Sequence, residues 1–222
     1  MPAFLFFILF VILGAGIIWL ILYLEKIRRQ KLAKAARELG FTYYPKSNYD
    51  FHDRFGGFEL FQRGGSRRSY DLIEGRKDGA DVKLFEYSYV TGSGKNRTTH
   101  RRVVCLLSLE RGCGFPHTII RPESIFDKVA SAIGFNDIDF ESIEFSRKYY
   151  VKGEDRRFAY DLVHPRMMEY LLKIGIICVE TGGRNLLVHP DRKLSPKAWP
   201  SLYYTAKGFV EQIPDRLITG DW

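Results

Sequence analysis

The chain has 222 residues, enough for one ordinary core with an appendage and too few for two full-sized domains with a linker. Its 45% apolar and 15% aromatic content excludes a disordered or collagen-like chain, and three cysteines without a CxxC pair argue against a disulfide framework or a zinc ribbon. Thirty-four Lys and Arg against 26 Asp and Glu leave a formal charge of +8, which points to an anionic partner: nucleic acid, a membrane surface or an acidic ligand. Cys105, Cys113 and Cys178 read as free thiols in a reducing compartment.

Residues 1–24 hold no charged side chain, and 21 of them are apolar. At about 1.5 Å per residue such a run crosses roughly 30 Å of hydrocarbon, so a transmembrane helix is expected over 1–24. A cleavable signal peptide would show a basic segment before a shorter apolar stretch and small residues at its end. Here nothing basic precedes the run, and Glu25 and Lys26 follow bulky residues directly, so the segment reads as an uncleaved anchor. Trp19 and Tyr23 stand toward its far end, as interfacial aromatics do.

The next window, 25–40, is expected to be a basic juxtamembrane helix ended by Gly40. Lys26, Arg28, Arg29, Lys31, Lys34 and Arg37 outweigh Glu25 and Glu38 there, for a net +4. The positive-inside rule then puts this flank in the cytoplasm and the N-terminus outside, giving a single-pass protein of a bacterial inner membrane. Two roles remain open for these six cations: a plain stop-transfer flank, or selective contact with anionic lipid at about 1 kcal/mol per basic residue near the surface. Gly14-Ala15-Gly16 leaves a small-residue notch but not the GxxxG spacing of helix dimers. On this topology the triplet Asn96-Arg97-Thr98 never meets the glycosylation machinery, so modification at Asn96 would overturn the orientation.

Residues 41–222 are expected to form one cytoplasmic α+β domain. An aromatic-rich stretch opens it, and strand periodicity follows at 58–63, 69–75, 81–90 and 101–110, with loops short enough for an antiparallel β-meander. Residues 117–120 offer another strand. Pro122 opens a helix with Ile125, Phe126, Val129 and Ile133 on one face and Gly134 at its end. Then come a strand near KYYVKG, a helix from Pro165 to Ile174 closed by Gly175, strands IICVE and NLLVH, and a last helix striped by Leu202, Ala206, Phe209, Val210 and Ile213. With the helix from Pro122, these make three helices beside the meander.

Leu39-Gly40-Phe41 after a basic helix, the strand LFEYSY, the Pro122-Glu123 helix start, Ile138-Asp139-Phe140 and FSRKYYVKGED together resemble a bacterial family of membrane-anchored proteins of unknown function. The resemblance spans roughly residues 30 to 190. It implies a single N-terminal span plus a cytoplasmic α+β domain at the inner membrane, and it carries no catalytic residues.

Several motifs invite chemistry. Gly92-Ser93-Gly94-Lys95 lacks the first glycine, the Ser/Thr and the following helix of a phosphate loop. HExxH, GxSxG and SxxK are all absent. Cys113 and His117 in GCGFPH offer a thiolate and base, although the glycines and Pro116 also describe a turn. Asp137, Asp139, Glu141 and Glu144 gather carboxylates, but Ile138 and Phe140 alternate with them as on a half-buried strand, so a solvated acidic face is favoured and no metal site is expected. His52, His100, His117, His164 and His189 have no ligand spacing, and His164 simply precedes the helix begun by Pro165. No cofactor is expected.

In an up-and-down meander alternate loops share one end of the sheet. The loops near 64–68 and 91–100 then become neighbours and gather Arg63, Arg67, Arg68, Lys95, Arg97, Arg101 and Arg102, with no acidic residue in 63–70 or 91–102. Flexible, solvated hairpin tips are the plain reading, and a phosphate-reading rim is the sharper one. These two windows hold +7 of the +8, and outside them and the basic flank the chain sums to −3. Nucleic acid is disfavoured, because the domain is tethered beside an anionic leaflet and no nucleic-acid motif is present. The function expected is a non-enzymatic binding or scaffold protein whose basic rim contacts anionic lipid or an acidic protein. The alternative is a membrane-tethered, hydrolase-like enzyme using Cys113 and His117 or the 137–144 carboxylates.

Overall fold

The computed structural model describes residues 2–47, 49–111, 114–123 and 140–220. Helix α1 (Pro2–Leu39) is continuous from the apolar run through the basic flank. It is long and apolar enough to cross a membrane, and its most apolar window has no buried residue. It stops where Gly40 takes φ 77°, with the Phe41 amide donating to the Ala36 carbonyl at 2.8 Å, a Schellman closure. Leu32, Ala35, Ala36 and Leu39 lie on one stripe and are buried in the domain core.

The rest folds around one eight-stranded antiparallel sheet among the described residues, an α+β architecture. Its strands are β1 (Thr42–Ser47), β2 (Gly65–Lys77), β3 (Ala80–Thr91), β4 (Thr98–Leu109), β5 (Phe115–Pro122), β6 (Tyr149–Gly153), β7 (Ile177–Gly183) and β8 (Asn185–Pro190). The order across the sheet is β1-β2-β3-β4-β8-β7-β5-β6. β2 to β4 form the expected meander, with β1 rather than residues 58–63 as the strand that pairs with β2. β5 does not pair with β4; the later hairpin β7–β8 inserts between them, leaving β5 against β7 and β6. Asp78 (φ 53°) and Gly79 (φ 74°) join β2 to β3 in the two-residue turn whose left-handed dihedrals match strand twist.

Both faces of the sheet are covered. One carries Ile73, Val82, Leu84, Val103, Cys105 and Val188 and is packed by the end of α1, by α4 (Ile143–Lys148), α5 (Arg156–Leu162), α6 (Pro165–Ile174), α7 (Trp199–Gln212) and α8 (Asp215–Thr219). The other carries Phe85, Tyr87, Tyr89, Val104, Leu106 and Leu187 under two single-turn helices, α2 (Phe51–Arg54) and α3 (Glu59–Gln62). α6 has the bounds expected of it, with Pro165 at its first position and Gly175 (φ 85°) after its end.

Two sequence expectations change. Residues 58–63 are not a strand: Phe58 and Phe61, three apart, are both buried, and the buried Glu180 carboxylate on β7 accepts the amides of Glu59 (2.6 Å) and Leu60 (3.2 Å) at the start of α3. Strand β1 was hidden in the aromatic stretch, where Pro45 breaks the pattern. An edge strand tolerates it because the missing amide is not needed for pairing. The helix expected from Pro122 to Gly134 lies, beyond Glu123, outside the described residues, and Pro122 itself closes β5.

Candidate functional site

The site begins with a charge buried between helix and sheet. Arg28 leaves α1 just past the apolar run and forks, one guanidinium nitrogen on Asp71 and the other on Glu86. Asp71 is 6% exposed and Glu86 3%, so both carboxylates are held away from water. A β-bulge between Tyr70 and Ile73, with Asp71 at φ 57°, adds one residue to β2. That extra residue lets Tyr70, Asp71 and Ile73 all serve the α1 side. Tyr70 Oη then donates to Glu86 at 2.9 Å and Tyr43 Oη to Asp71 at 2.6 Å. Burial and the neighbouring carboxylate push the Tyr70 hydroxyl up to about 12, and the same causes raise that of Tyr43, so both remain donors.

The clamp fixes direction. Arg28 sits against Asp71, whereas Lys77 Nζ donates to the Leu39 carbonyl and Phe41 lies under Gly75, whose missing Cβ would fall 2.2 Å from the ring. Thus α1 runs along β2 in the same sense, and its apolar part departs past the start of β2. That end, the proximal end, holds the first residues of β2 and β4 and the last of β3, because all three strands are antiparallel neighbours. From Arg28 back to Leu24 is about 6 Å of helix, and from Glu86 to Thr91 is about 17 Å of strand. The β3–β4 tip therefore reaches back from the level of Arg28 toward that of the apolar run.

All seven residues of the basic rim lie toward this end, in different states. Arg68 and Arg101 flank Ser88 in register, on the α1 side of the sheet. Lys95 and Arg97 occupy the tip around a short 3-10 turn at Gly94–Asn96. These four are exposed and carry no ion pair among the described residues. The other three are engaged: Arg63 with Glu59 at 2.5 Å, Arg102 with Asp191 at 2.6 Å, and Arg67 with the carbonyls of Gln62 (2.6 Å) and Gly64 (3.2 Å). Gly92, at φ 75°, shapes the tip, since a Cβ there would meet the Asn96 carbonyl at 2.3 Å. A strand follows the 3-10 turn, which removes the helix that a phosphate loop requires.

In the basic flank, Arg28 is absorbed by the clamp and Arg29 pairs with Glu25, while Lys26, Lys31, Lys34 and Arg37 are exposed. Sequence reasoning missed Arg192, Lys193 and Lys197, which follow β8. Pro190 pairs with Ile177 two residues past Val188, which itself pairs with Cys105, so this loop also leaves from the proximal end. Only the β4–β8 pairing reveals that, and no local pattern announces it.

The groups of the enzymatic alternative do not assemble among the described residues. His117 Nε2 stands 3.3 Å from Glu180, whose hydrogen bond raises the imidazole above its ordinary range, and its backbone amide donates to Glu154. Glu141 is exposed and Glu144 pairs with Lys148 at 2.8 Å. Cys113, Asp137 and Asp139 lie outside the described residues. Cys178 and His189 pair across β7 and β8, but burial pushes the thiol up to about 12 and the imidazole down to about 4, so both are neutral near pH 7. No group of three or more His, Cys, Asp or Glu among the described residues is placed to hold a metal.

No family model and no curated protein matches the chain. A solved structure does: the crystal structure of the mycobacterial trehalose monomycolate transport factor A, with a TM-score of 0.54 at 14% identity. The match covers 84% of this chain and 96% of that one. At that identity the likeness is one of fold.

Proposed function

We propose that this chain is a single-pass inner-membrane protein that works by binding rather than catalysis, its cytoplasmic domain resting its basic proximal end on the anionic leaflet. The observation that carries this reading is the direction of α1. Of the two ends of the sheet, the one with Arg68, Lys95, Arg97 and Arg101, which form no ion pair among the described residues, is the one from which the apolar helix departs. Headgroups form a layer roughly 5–8 Å thick outside the hydrocarbon, and the β3–β4 hairpin, which runs back from the level of Arg28 toward that of Leu24, enters that layer. Each cation near an anionic surface contributes about 1 kcal/mol, and the tether keeps the local lipid concentration high.

The structural neighbour's description as a transport factor supports a non-enzymatic role for a domain of this fold. An acidic protein docked at the same end is the other occupant that these cations fit.

The test is hydrogen exchange on the full-length protein in nanodiscs of phosphatidylglycerol and, separately, of phosphatidylcholine. Amides of 64–68 and 91–98 exchange more slowly in the anionic discs. The combined change of Arg68, Lys95, Arg97 and Arg101 to Ala removes the difference. Equal exchange in the two lipids sinks the proposal.

A further inference from the structure

A second feature of the proximal end is apolar. The turn between α6 and β7 presents Ile176 to solvent at 63% exposure, the only large aliphatic outside α1 apart from Ile143 that stands so far out among the described residues. The turn itself is fixed: Gly175 takes φ 85°, and Tyr149 Oη donates to the carbonyls of Leu171 and Gly175 at 3.2 and 2.6 Å. A single exposed isoleucine is ordinary by itself, and Ile176 matters because it borders a cavity.

Beside it opens a cavity of about 690 Å³, lined by Ile174, Ile176, Ile177, Leu194, Ala198 and Leu202, with Ser201 and Thr205 on its α7 side. Its charged wall is Asp191 and Arg192. Asp191 is neutralised by Arg102, whereas Arg192 has no ion pair among the described residues and is followed by the exposed Lys193. The cavity is thus a half-open, mostly apolar groove with a net cationic lip. It stands at the proximal end, since Ile177 pairs with Pro190 beyond the Val188–Cys105 pair, about level with the row that Arg28 reaches at Glu86.

We propose that this cavity takes one acyl chain of an anionic lipid drawn from the facing leaflet, with Ile176 beside its mouth and Arg192 holding the phosphate. The charge pattern and the position decide the occupant. An apolar peptide would not need the cationic lip, and a soluble small molecule would not need an exposed isoleucine beside the mouth. The inference rests on the reading that the proximal end faces an anionic leaflet, and it adds a chain-binding function to what was there a surface contact.

Trp199 follows the lining residue Ala198 and is buried, so it reports on the cavity. The experiment uses the full-length chain with Trp19→Phe and Trp222→Phe, reconstituted in vesicles. Trace lipid carries bromine at mid-chain, on phosphatidylglycerol in one arm and on phosphatidylcholine in the other, within the same anionic host. Mid-chain bromine on phosphatidylglycerol is expected to quench Trp199 at least twofold more than on phosphatidylcholine. Ser201→Phe, which fills the chamber from an exposed position, abolishes that quenching, and Arg192→Ala removes the preference between headgroups.

A companion protein carrying Ser93→Trp with the three native tryptophans changed to Phe is read with bromine placed near the headgroup, which reports docking of the tip alone. Tip quenching without Trp199 quenching overturns the chain site and leaves the docking reading intact. Absence of both overturns the two together. Trp199 quenching that survives Ser201→Phe means mere proximity to the bilayer and also overturns the site.

Discussion

At the residue scale the balance of forces is clearest at Arg28. Two carboxylates, Asp71 and Glu86, lose nearly all their water and share one guanidinium, while Tyr43 and Tyr70 satisfy part of what remains. Arg28→Met leaves both acids buried and unpaired. Breaking a buried pair costs roughly 3–5 kcal/mol, and Arg28 is 31% exposed, so a loss of about 3 kcal/mol is expected in the unfolding of the domain. Adding Asp71→Asn and Glu86→Gln to that variant restores most of the loss, because the penalty lies in the stranded charges. Denaturant midpoints of the protein in detergent check both. If the single variant unfolds like the parent, the clamp is not what orients α1.

His117 supplies a pH dependence of known sign. Its folded pKa is raised, first by the hydrogen bond to Glu180. A raised imidazole contributes stability that is fully present below its unfolded pKa, about 6.5, and is lost as pH rises through the folded value. The stability gap between the parent and His117→Gln is therefore widest at acidic pH and closes above the folded pKa. Glu180 also holds the amides of Glu59 and Leu60, so the same titration tightens α3 against β7. A gap that widens with rising pH contradicts this assignment.

At the element scale, what the sequence disclosed depended on whether a partner was local. Alternation identified β2, β3 and β4, and Pro165 with Gly175 marked both ends of α6, because those signals lie within a few residues of their effect. The segment 58–63 misled because Phe58, Glu59 and Leu60 alternate as on a strand, while the carboxylate that caps the segment as a helix lies 121 residues away. The insertion of β7–β8 beside β4 is equally non-local, and it hid Arg192, Lys193 and the chamber from any reading of neighbouring residues. The clamp was hidden for the same reason, since Arg28 looked like one more flanking cation.

The end of α1 yields a prediction of its own. Leu32, Ala35, Ala36 and Leu39 are buried in the main core, so the second half of this helix is part of the domain's hydrophobic stripe. A fragment of residues 41–222 loses four buried side chains and uncovers part of the main core, and it is expected to be aggregated or partly unfolded. A fragment of 25–222 keeps the stripe and the clamp, and it is expected to be soluble, with a cooperative thermal transition. Sedimentation and circular dichroism of the two fragments decide this, and a well-folded 41–222 would mean that α1 is only a leash.

At the scale of the whole molecule, two kinds of contact converge on one end of the sheet, and ionic strength separates them. The cations at the tip act through a screened field, and the screening length falls from about 10 Å at 0.1 M salt to about 3 Å at 1 M. The chamber beside Ile176 works by removing apolar surface from water, which salt does not weaken. Raising salt from about 0.1 M to about 1 M in anionic nanodiscs should therefore erase the exchange protection of residues 91–98. Trp199 quenching by mid-chain bromine should survive largely intact, since α1 keeps the domain within reach of the bilayer. The opposite result, a tip indifferent to salt and a chamber emptied by it, would mean that the tip is held by something other than charge.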